Sequence, residues 1–180
     1  MPHSSPHRLT LVLGGARSGK SRFAEEWLGR APAPRLYIAT AEARDAEMKV
    51  RIAAHRDRRG DGWHTVEAPI ELAPAIEEHG TQPMLIDCLT LWLSNIVLAE
   101  RDLEAETDRL LEALGKVPGP VAAVSNEVGL GIVPETPLGR RFRDAQGILN
   151  QRVAAIADHV VLMTAGIPLT VKPQSSGGQE

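Results

Sequence analysis

Eight consecutive residues near the amino terminus have the spacing of a phosphate-binding loop: Gly14-Gly15-Ala16-Arg17-Ser18-Gly19-Lys20-Ser21. They match the P-loop pattern, in which a glycine is followed four residues later by Gly-Lys-Ser or Gly-Lys-Thr. Glycines let the backbone turn with its N–H groups directed at anionic oxygens. Lys20 is then suited to bridge the β- and γ-phosphates of a nucleotide, and the Ser21 hydroxyl is suited to bind Mg²⁺. The segment predicts a nucleoside triphosphate site.

The segments on either side supply the structural context that the motif needs. Residues 9–13 are apolar and β-prone, which is typical of a buried parallel strand. Residues 22–28 have the pattern of an amphipathic helix, whose amino-terminal end adds partial positive charge beside the phosphates. The alternative is a glycine-rich turn between strand and helix that binds nothing. The Gly-Lys-Ser ending, in this context, favours the phosphate site.

A second candidate is the acidic residue at the end of another apolar run. Residues 84–87 predict a buried strand that ends in Asp87, as in a Walker B element, where the aspartate helps to hold Mg²⁺. The alternative is that Asp87 caps the helix starting at Leu89. Cys88 has no evident base partner, so we interpret it as a small core residue.

A histidine within a charged segment is the third candidate. Residues 44–58 predict a helix in which Arg51 and Arg58 adjoin His55. Neighbouring positive charge disfavours the imidazolium form, and a neutral imidazole is nucleophilic. Arginines also bind phosphates. Charge pattern alone favours the simpler interpretation, a solvated helix with an incidental histidine.

Composition limits the class of protein. The 180 residues suit one domain, and a net charge of −3 without a basic stripe argues against a nucleic-acid partner. The single cysteine excludes an internal disulfide and suits a reducing, cytoplasmic environment. No apolar stretch approaches the ~20 residues of a membrane span.

Strand and helix patterns alternate between two polar tails, 1–8 and 173–180, which predicts one domain over residues 9–172. The predicted strands are 9–13, 36–40, 65–67, 84–87, 121–125, 160–164 and 169–172, and the predicted helices are 20–29, 44–58, 71–79, 89–99, 102–115 and 138–157. This predicts an α/β fold of the P-loop NTPase (RecA-like) type, with a mostly parallel sheet flanked by helices. The connection at 165–168 is too short for a parallel crossover, so the last strand must be an antiparallel edge strand.

Further runs extend the pattern along the chain: Tyr37-Ile38-Ala39-Thr40-Ala41, Asp87-Cys88-Leu89-Thr90-Leu91-Trp92 and Asn126-Glu127-Val128-Gly129-Leu130-Gly131-Ile132-Val133-Pro134. With the P-loop and His55, they resemble the bifunctional adenosylcobinamide kinase/adenosylcobinamide-phosphate guanylyltransferase family of cobalamin biosynthesis. The resemblance runs from about residue 11 to residue 172. The run from Asn126 to Pro134 is far more specific than the P-loop alone.

The resemblance implies two reactions. In the first, ATP or GTP phosphorylates the hydroxyl of the aminopropanol arm of adenosylcobinamide. In the second, GTP guanylylates a histidine and releases pyrophosphate, and the GMP passes to adenosylcobinamide phosphate to give adenosylcobinamide-GDP. The resemblance also implies a homotrimer.

The resemblance further implies site residues. The nucleophilic histidine corresponds to His55, and Lys20 stabilises charge on the leaving phosphates, with Mg²⁺ held by Ser21 and Asp87. The implied nucleotide-binding positions are Gly14, Gly15, Ala16, Arg17, Ser18, Gly19, Lys20, Ser21, Ala39, Thr40, Ala41, Arg56, Asp57, Arg58, Arg59, Glu67 and Asp87.

Other interpretations differ in their chemistry. One is a P-loop kinase for another small-molecule alcohol, in which His55 is structural. A GTP-dependent switch would need an Asn-Lys-x-Asp segment, but Asn126 is followed by Glu127. Residues 126–131 follow a strand on the expected ligand edge, and their spacing names no chemistry. The general base of the kinase step has no sequence signature, while residues 138–157 and the loop from Asn126 are candidates for corrinoid binding.

Overall fold

A seven-stranded sheet forms the centre of the molecule. The computed structural model describes residues 8–42 and 59–173. The strands are β1 (Leu9–Gly14), β2 (Arg35–Ala39), β3 (Trp63–Glu67), β4 (Met84–Asp87), β5 (Val121–Val124), β6 (His159–Thr164) and β7 (Ile167–Lys172). Their order across the sheet is β3-β2-β4-β5-β1-β6-β7. All neighbours are parallel except β6 and β7, which form an antiparallel pair.

The described part of the chain contains five helices, which connect or follow the strands: α1 (Lys20–Leu28), α2 (Leu72–Glu78), α3 (Leu89–Leu98), α4 (Leu103–Lys116) and α5 (Pro137–Ile156). Two of them begin with a side-chain cap. The Asp102 carboxylate accepts hydrogen bonds from the first-turn backbone of α4, and the Thr136 hydroxyl accepts one from the first turn of α5. Pro137 opens α5, where its missing N–H costs nothing.

Hydrophobic side chains are buried on both faces of the sheet. Leu11 belongs to the larger core cluster, which α2, α3, α4 and α5 cover, whereas Val12 belongs to the smaller cluster beneath α1. Successive strand residues therefore face opposite layers, and both layers are apolar. This explains why the central strands are continuous apolar runs without polar alternation.

The predicted elements agree with the structure within two residues at each end, and the antiparallel pair β6–β7 is confirmed. The predicted helix 44–58 lies outside the described residues. β3 begins at Trp63, two residues before the predicted start, because its pairing with β2 extends to Arg35 and Trp63. The Arg35 guanidinium lies 5.8 Å from the centre of the Trp63 ring.

Parallel pairing brings the carboxyl ends of the strands to one edge of the sheet. Ala39 lies beside Glu67 and Asp87 in the β-ladder, and Asp87 lies beside Val124. The loop after β1 emerges at the same edge, where open α/β sheets bind ligands. Every helix within residues 8–42 and 59–173 is too short or too polar to cross a membrane.

Removing a buried leucine side chain should cost far more stability than removing an exposed one. Leu11, in β1, is fully buried, and Leu98, at the end of α3, is 54% exposed. We expect Leu11→Ala to lower the free energy of unfolding by about 2–5 kcal/mol, because it leaves a cavity in the core. Leu98→Ala should cost under about 1 kcal/mol in the same urea titration. Equal losses in the two variants would contradict the assignment of the core.

Candidate nucleotide-binding site

The P-loop connects β1 to α1 through backbone that only glycine adopts easily. Gly19, immediately before α1, has φ of 95°, and Gly14 has φ of 150°. A Cβ atom on Gly14 would lie 2.5 Å from the backbone oxygen of Met163 and 2.7 Å from the hydroxyl oxygen of Ser18. A side chain at either glycine would therefore deform the loop.

Lys20 is the first residue of α1 and is almost completely buried. Its Nζ donates a hydrogen bond to the backbone oxygen of Gly15 at 2.5 Å, so the ammonium group lies over the loop. The first turn of α1 carries no acidic residue, which leaves the positive end of the helix dipole available to an anion. The loop thus has the positive charge and N–H groups that phosphate oxygens require.

Two neighbouring segments hold the P-loop in place. The backbone N–H of Gly166, in the turn between β6 and β7, donates to the Ser18 oxygen at 3.1 Å. On the other side, the backbone N–H of Glu127 donates to the Gly14 oxygen at 3.1 Å. Arg17, at the exposed tip between these contacts, has φ of 56°.

A tyrosine orients the carboxylate at the end of β4. The Tyr37 hydroxyl donates a hydrogen bond to Oδ2 of Asp87 at 3.0 Å. Burial, followed by the negative charge of Asp87, raises the pKa of Tyr37 well above its usual value, so the hydroxyl remains a donor. The amino-terminal cap of α3 is Cys88, without a side-chain bond, so Asp87 does not act as the helix cap.

The Tyr37 ring also contacts an arginine, Arg59. The Arg59 guanidinium carbon lies 3.4 Å from the centre of the Tyr37 ring, a cation–π contact. Nη2 of Arg59 lies 3.5 Å from the Thr65 hydroxyl, whereas its buried Nη1 has no hydrogen-bond partner. Arg59 also lines a cavity of about 260 Å³ with Gly60, Trp63 and Thr65. A buried guanidinium N–H without an acceptor is suited to a ligand oxygen.

The loops after β2 and β4 are joined by buried hydrogen bonds. The Thr40 hydroxyl donates to the Cys88 oxygen at 2.7 Å and accepts from the Cys88 N–H at 2.8 Å. The Asn95 amide donates to the Thr40 backbone oxygen at 2.9 Å. Because the Thr40 side chain is buried and bonded on both sides, it positions this edge of the site. Glu67 and Ala41 are more accessible, at the ends of β3 and β2.

Cys88 is a buried core residue, as predicted. Burial raises the pKa of its thiol to about 11, and the negative charge of Asp87 acts in the same direction. Backbone hydrogen bonds from Leu91 and Thr90, and then the positive charge of Lys20, act on the pKa in the opposite direction. The neutral thiol is a poor nucleophile at physiological pH.

A buried polar network behind the loop after β5 escaped the sequence analysis. Ser125, Gln146 and Asn150 are buried and hydrogen-bonded to one another, and Thr90 bonds to the N–H of Asn126. Its sequence signal was weak: Gln146 and Asn150 are four residues apart on a helical face that also carries Leu149 and Val153. Two polar residues in an apolar stripe do not by themselves predict a buried network, because the sequence does not show which side chains of other elements they contact.

The structure brings most of the predicted site residues to one edge. The P-loop, the end of β2, Arg59, Glu67 and Asp87 surround the carboxyl ends of the parallel strands. The remaining predictions, namely His55, Arg56, Asp57 and Arg58, lie outside the described residues.

The oxygen donors of Ser21 and Asp87 fit Mg²⁺, a hard cation usually held by one or two protein oxygens together with water and phosphates. Within residues 8–42 and 59–173, no group of three or more His, Cys, Asp or Glu side chains is placed to hold a metal ion. Two protein oxygens leave the remaining coordination positions to water and phosphate, so Ser21 and Asp87 suit a metal ion that is bound together with a nucleotide.

Tyr37 is the only tyrosine in the chain, so its ionisation can be followed directly by absorbance at 295 nm. Because its folded-state pKa is raised, the unfolded chain loses this proton first, near pH 10. Stability linked to Tyr37 is thus complete below about pH 10 and falls as the pH rises further. We expect no phenolate signal from folded protein near pH 10, and an earlier signal in Asp87→Asn. A folded-state midpoint near 10 would contradict the buried hydrogen bond.

Sequence comparison identifies close relatives of the chain. A family model described as cobinamide kinase / cobinamide phosphate guanyltransferase matches residues 10–171. The bifunctional adenosylcobalamin biosynthesis protein CobP of Pseudomonas aeruginosa is 46% identical over 166 residues, covering 90% of this chain and 96% of that protein. The corresponding protein CobU of Salmonella typhimurium is 40% identical over 187 residues, covering 91% of this chain and 99% of that protein.

Solved structures share the fold. An ATPase from a bacterial type III secretion system superposes with a TM-score of 0.50 at 13% identity, covering 87% of this chain and 51% of the other. A Pyrococcus horikoshii OT3 protein gives a TM-score of 0.53 at 11% identity, covering 94% and 88%. These likenesses concern the architecture alone. From the family match and the identity to CobP and CobU over nine-tenths of its length, the chain belongs to the cobinamide kinase / cobinamide phosphate guanylyltransferase family, bifunctional enzymes of adenosylcobalamin biosynthesis.

Proposed function

We propose that this chain performs both reactions of its family at one nucleotide site built on the P-loop. It phosphorylates the aminopropanol hydroxyl of adenosylcobinamide with ATP or GTP. It then transfers GMP from GTP, through a guanylylated His55, to adenosylcobinamide phosphate, giving adenosylcobinamide-GDP. The observation that carries the proposal is the buried Lys20 ammonium over the loop, at the edge where Asp87 also lies.

The P-loop serves both reactions because each breaks a bond of the same triphosphate. The backbone N–H groups of residues 14–21 cradle the phosphates, and Lys20 neutralises charge on the leaving group. Mg²⁺, held by Ser21 and Asp87, would supply further positive charge there. Tyr37 keeps the Asp87 carboxylate oriented through its hydroxyl.

Arg59 occupies a second nucleotide contact region beside Tyr37. Its unpartnered N–H offers a hydrogen bond to a phosphate or ribose oxygen of the nucleotide. The family resemblance adds Arg56, Asp57 and Arg58, the segment Ala39-Thr40-Ala41, and Glu67 to the same region. These groups would fix the nucleotide so that its α-phosphate meets His55.

The guanylyl transfer proceeds by two displacements. A neutral His55 nitrogen attacks the α-phosphorus, and the bond to the pyrophosphate oxygen breaks. A phosphate oxygen of adenosylcobinamide phosphate then attacks the same phosphorus, and His55 leaves with its electron pair. A covalent route splits one transfer into two easier steps.

The proposal includes a cytoplasmic homotrimer with one domain over residues 9–172. Strand β7 lies at the edge of the sheet with exposed apolar side chains, Ile167, Leu169 and Val171, which association would cover. The buried cysteine fits a reducing compartment.

Covalent guanylylation is tested with GTP labelled at the α-phosphate. After incubation with Mg²⁺ and denaturation, we expect protein-bound label that is labile in acid and stable in base, as for a phosphoramidate. His55→Ala should lose the label, and the control variant His79→Ala, altered at the end of α2, should keep it. Absence of label in the wild type at saturating GTP would reject the guanylyltransferase mechanism.

Because both reactions use the P-loop triphosphate site and only one uses the histidine, substitutions at Lys20 and His55 should have different effects. We expect Lys20→Ala to slow both phosphorylation and guanylylation at least ~100-fold, because the triphosphate loses its main positive contact. His55→Ala should spare phosphorylation. Lys116→Ala, at an exposed lysine, should change neither rate more than about twofold. If His55→Ala abolished both activities with the fold intact, the separation of roles would be wrong.

A further inference from the structure

The loop after β5 brings the backbone of Glu127 into contact with the P-loop. Glu127 is attached through its backbone N–H to the Gly14 oxygen at 3.1 Å. The next loop residue, Gly15, accepts the hydrogen bond from Lys20. Since the P-loop lysine serves the β- and γ-phosphates, these contacts attach Glu127 to the part of the loop that would hold the γ-phosphate.

The Glu127 carboxylate is held by a buried amide. Nδ2 of Asn150 donates to Oε1 of Glu127 at 3.2 Å and to the backbone oxygen of Asn126 at 3.1 Å. Asn150 is only 5% exposed, whereas Glu127 is half-buried. The carboxylate is therefore fixed from the protein side and can face a substrate on the other.

Further buried groups fix the Asn150 amide in turn. Its Oδ1 accepts hydrogen bonds from the Ser125 hydroxyl at 2.7 Å and from Nε2 of Gln146 at 2.9 Å. Gln146 also donates to the Ser125 hydroxyl at 2.9 Å, and both residues are fully buried. The acceptor role of Oδ1 leaves the amide nitrogen pointing toward Glu127. Burying polar groups costs stability. Buried side chains that hold another side chain in one orientation, as Ser125 and Gln146 hold Asn150, are typical of sites where that orientation matters for chemistry.

Among the described residues, the other two carboxylates of the predicted site follow strands further from the P-loop strand. β5 is adjacent to β1, whereas β4, which ends in Asp87, is the second strand from β1, and β3, which ends in Glu67, is the fourth. Asp87 is also engaged by Tyr37. Glu127 is thus the better placed of the three carboxylates to meet an acceptor aligned with the γ-phosphate.

We propose that Glu127 is the general base of the kinase step and that Asn150 is its positioning residue. The inference rests on the proposed function. The aminopropanol hydroxyl donates its proton to the Glu127 carboxylate while its oxygen forms a bond to the γ-phosphorus. The bond from that phosphorus to the β,γ-bridging oxygen breaks, and the nucleoside diphosphate leaves with the electron pair. Glu127 then releases the proton to solvent.

The test uses Glu127→Gln, which keeps the shape of the side chain and removes the base. Phosphorylation of adenosylcobinamide is measured alongside protein guanylylation from α-labelled GTP. We expect kcat for phosphorylation to fall at least ~100-fold, as for loss of a general base, with KM for the nucleotide within about threefold. Guanylylation of the protein should continue. Glu104→Gln, an exposed carboxylate in the first turn of α4 and outside the site, is the matched control and should leave both rates unchanged.

A second variant tests the role of Asn150. Asn150→Ala should lower kcat for phosphorylation about tenfold by releasing the carboxylate, with folding checked by urea titration. In the double variant with Glu127→Gln, removing Asn150 should cost nothing further, because there is no base left to position. Additive losses in the double variant would show that Asn150 acts only through the fold and would overturn its positioning role.

The remaining outcomes separate this inference from the proposed function. If Glu127→Gln phosphorylates adenosylcobinamide at the wild-type rate, Glu127 is not the general base, although the chain still performs both reactions. Equal loss of phosphorylation and guanylylation places Glu127 in the shared nucleotide cradle and also overturns it. If the wild type neither phosphorylates adenosylcobinamide nor takes up label, the proposed function itself fails.

Discussion

Parallel alignment of six strands is the constraint on which the site depends. It sends the chain out of β1, β2, β3, β4 and β5 at one edge, so that residues distant in sequence become neighbours. Register then determines which of them meet: Ala39 lies beside both Asp87 and Glu67, and Tyr37, two residues earlier, reaches the Asp87 carboxylate from its own strand. A slip of one residue would turn Tyr37 to the opposite layer and remove the donor from Asp87.

Local patterns allowed much of this to be predicted. The P-loop, the strand ending in Asp87 and the tight connection at 165–168 each depend on a few consecutive residues, so their structure follows from their own chemistry. The partners of Asp87 and Glu127 depend instead on which strands and helices lie side by side. Tyr37 and Asn150 are ordinary residues of a strand and a helix until that arrangement is known. The prediction that His55 is the nucleophile rests on family resemblance, because the charge pattern alone favours a solvated helix with an incidental histidine.

The two carboxylates illustrate different ways of holding a charged group. Asp87 receives a phenolic donor from a buried ring, which also contacts the Arg59 guanidinium. Glu127 receives an amide that is itself bonded to two buried side chains. Hydrogen bonds in such a buried network are strengthened by the low local dielectric, which makes the network rigid. The cost is that polar atoms are buried, and Oε1 of Gln146 has no hydrogen-bond partner. In α5, the network that orients the Glu127 carboxylate therefore lowers the stability of the fold at Gln146.

The hydrogen bond between Lys20 and Gly15 has a further consequence. The P-loop is attached on both sides, to the loop after β5 and to the turn between β6 and β7, so little of its backbone has to be ordered by an arriving nucleotide. The buried ammonium group of Lys20 donates to the backbone oxygen of Gly15, within the loop itself. This bond fixes the positive charge against the loop backbone, so the ammonium group and the loop form one rigid unit, and few groups have to be ordered in each round of nucleotide exchange.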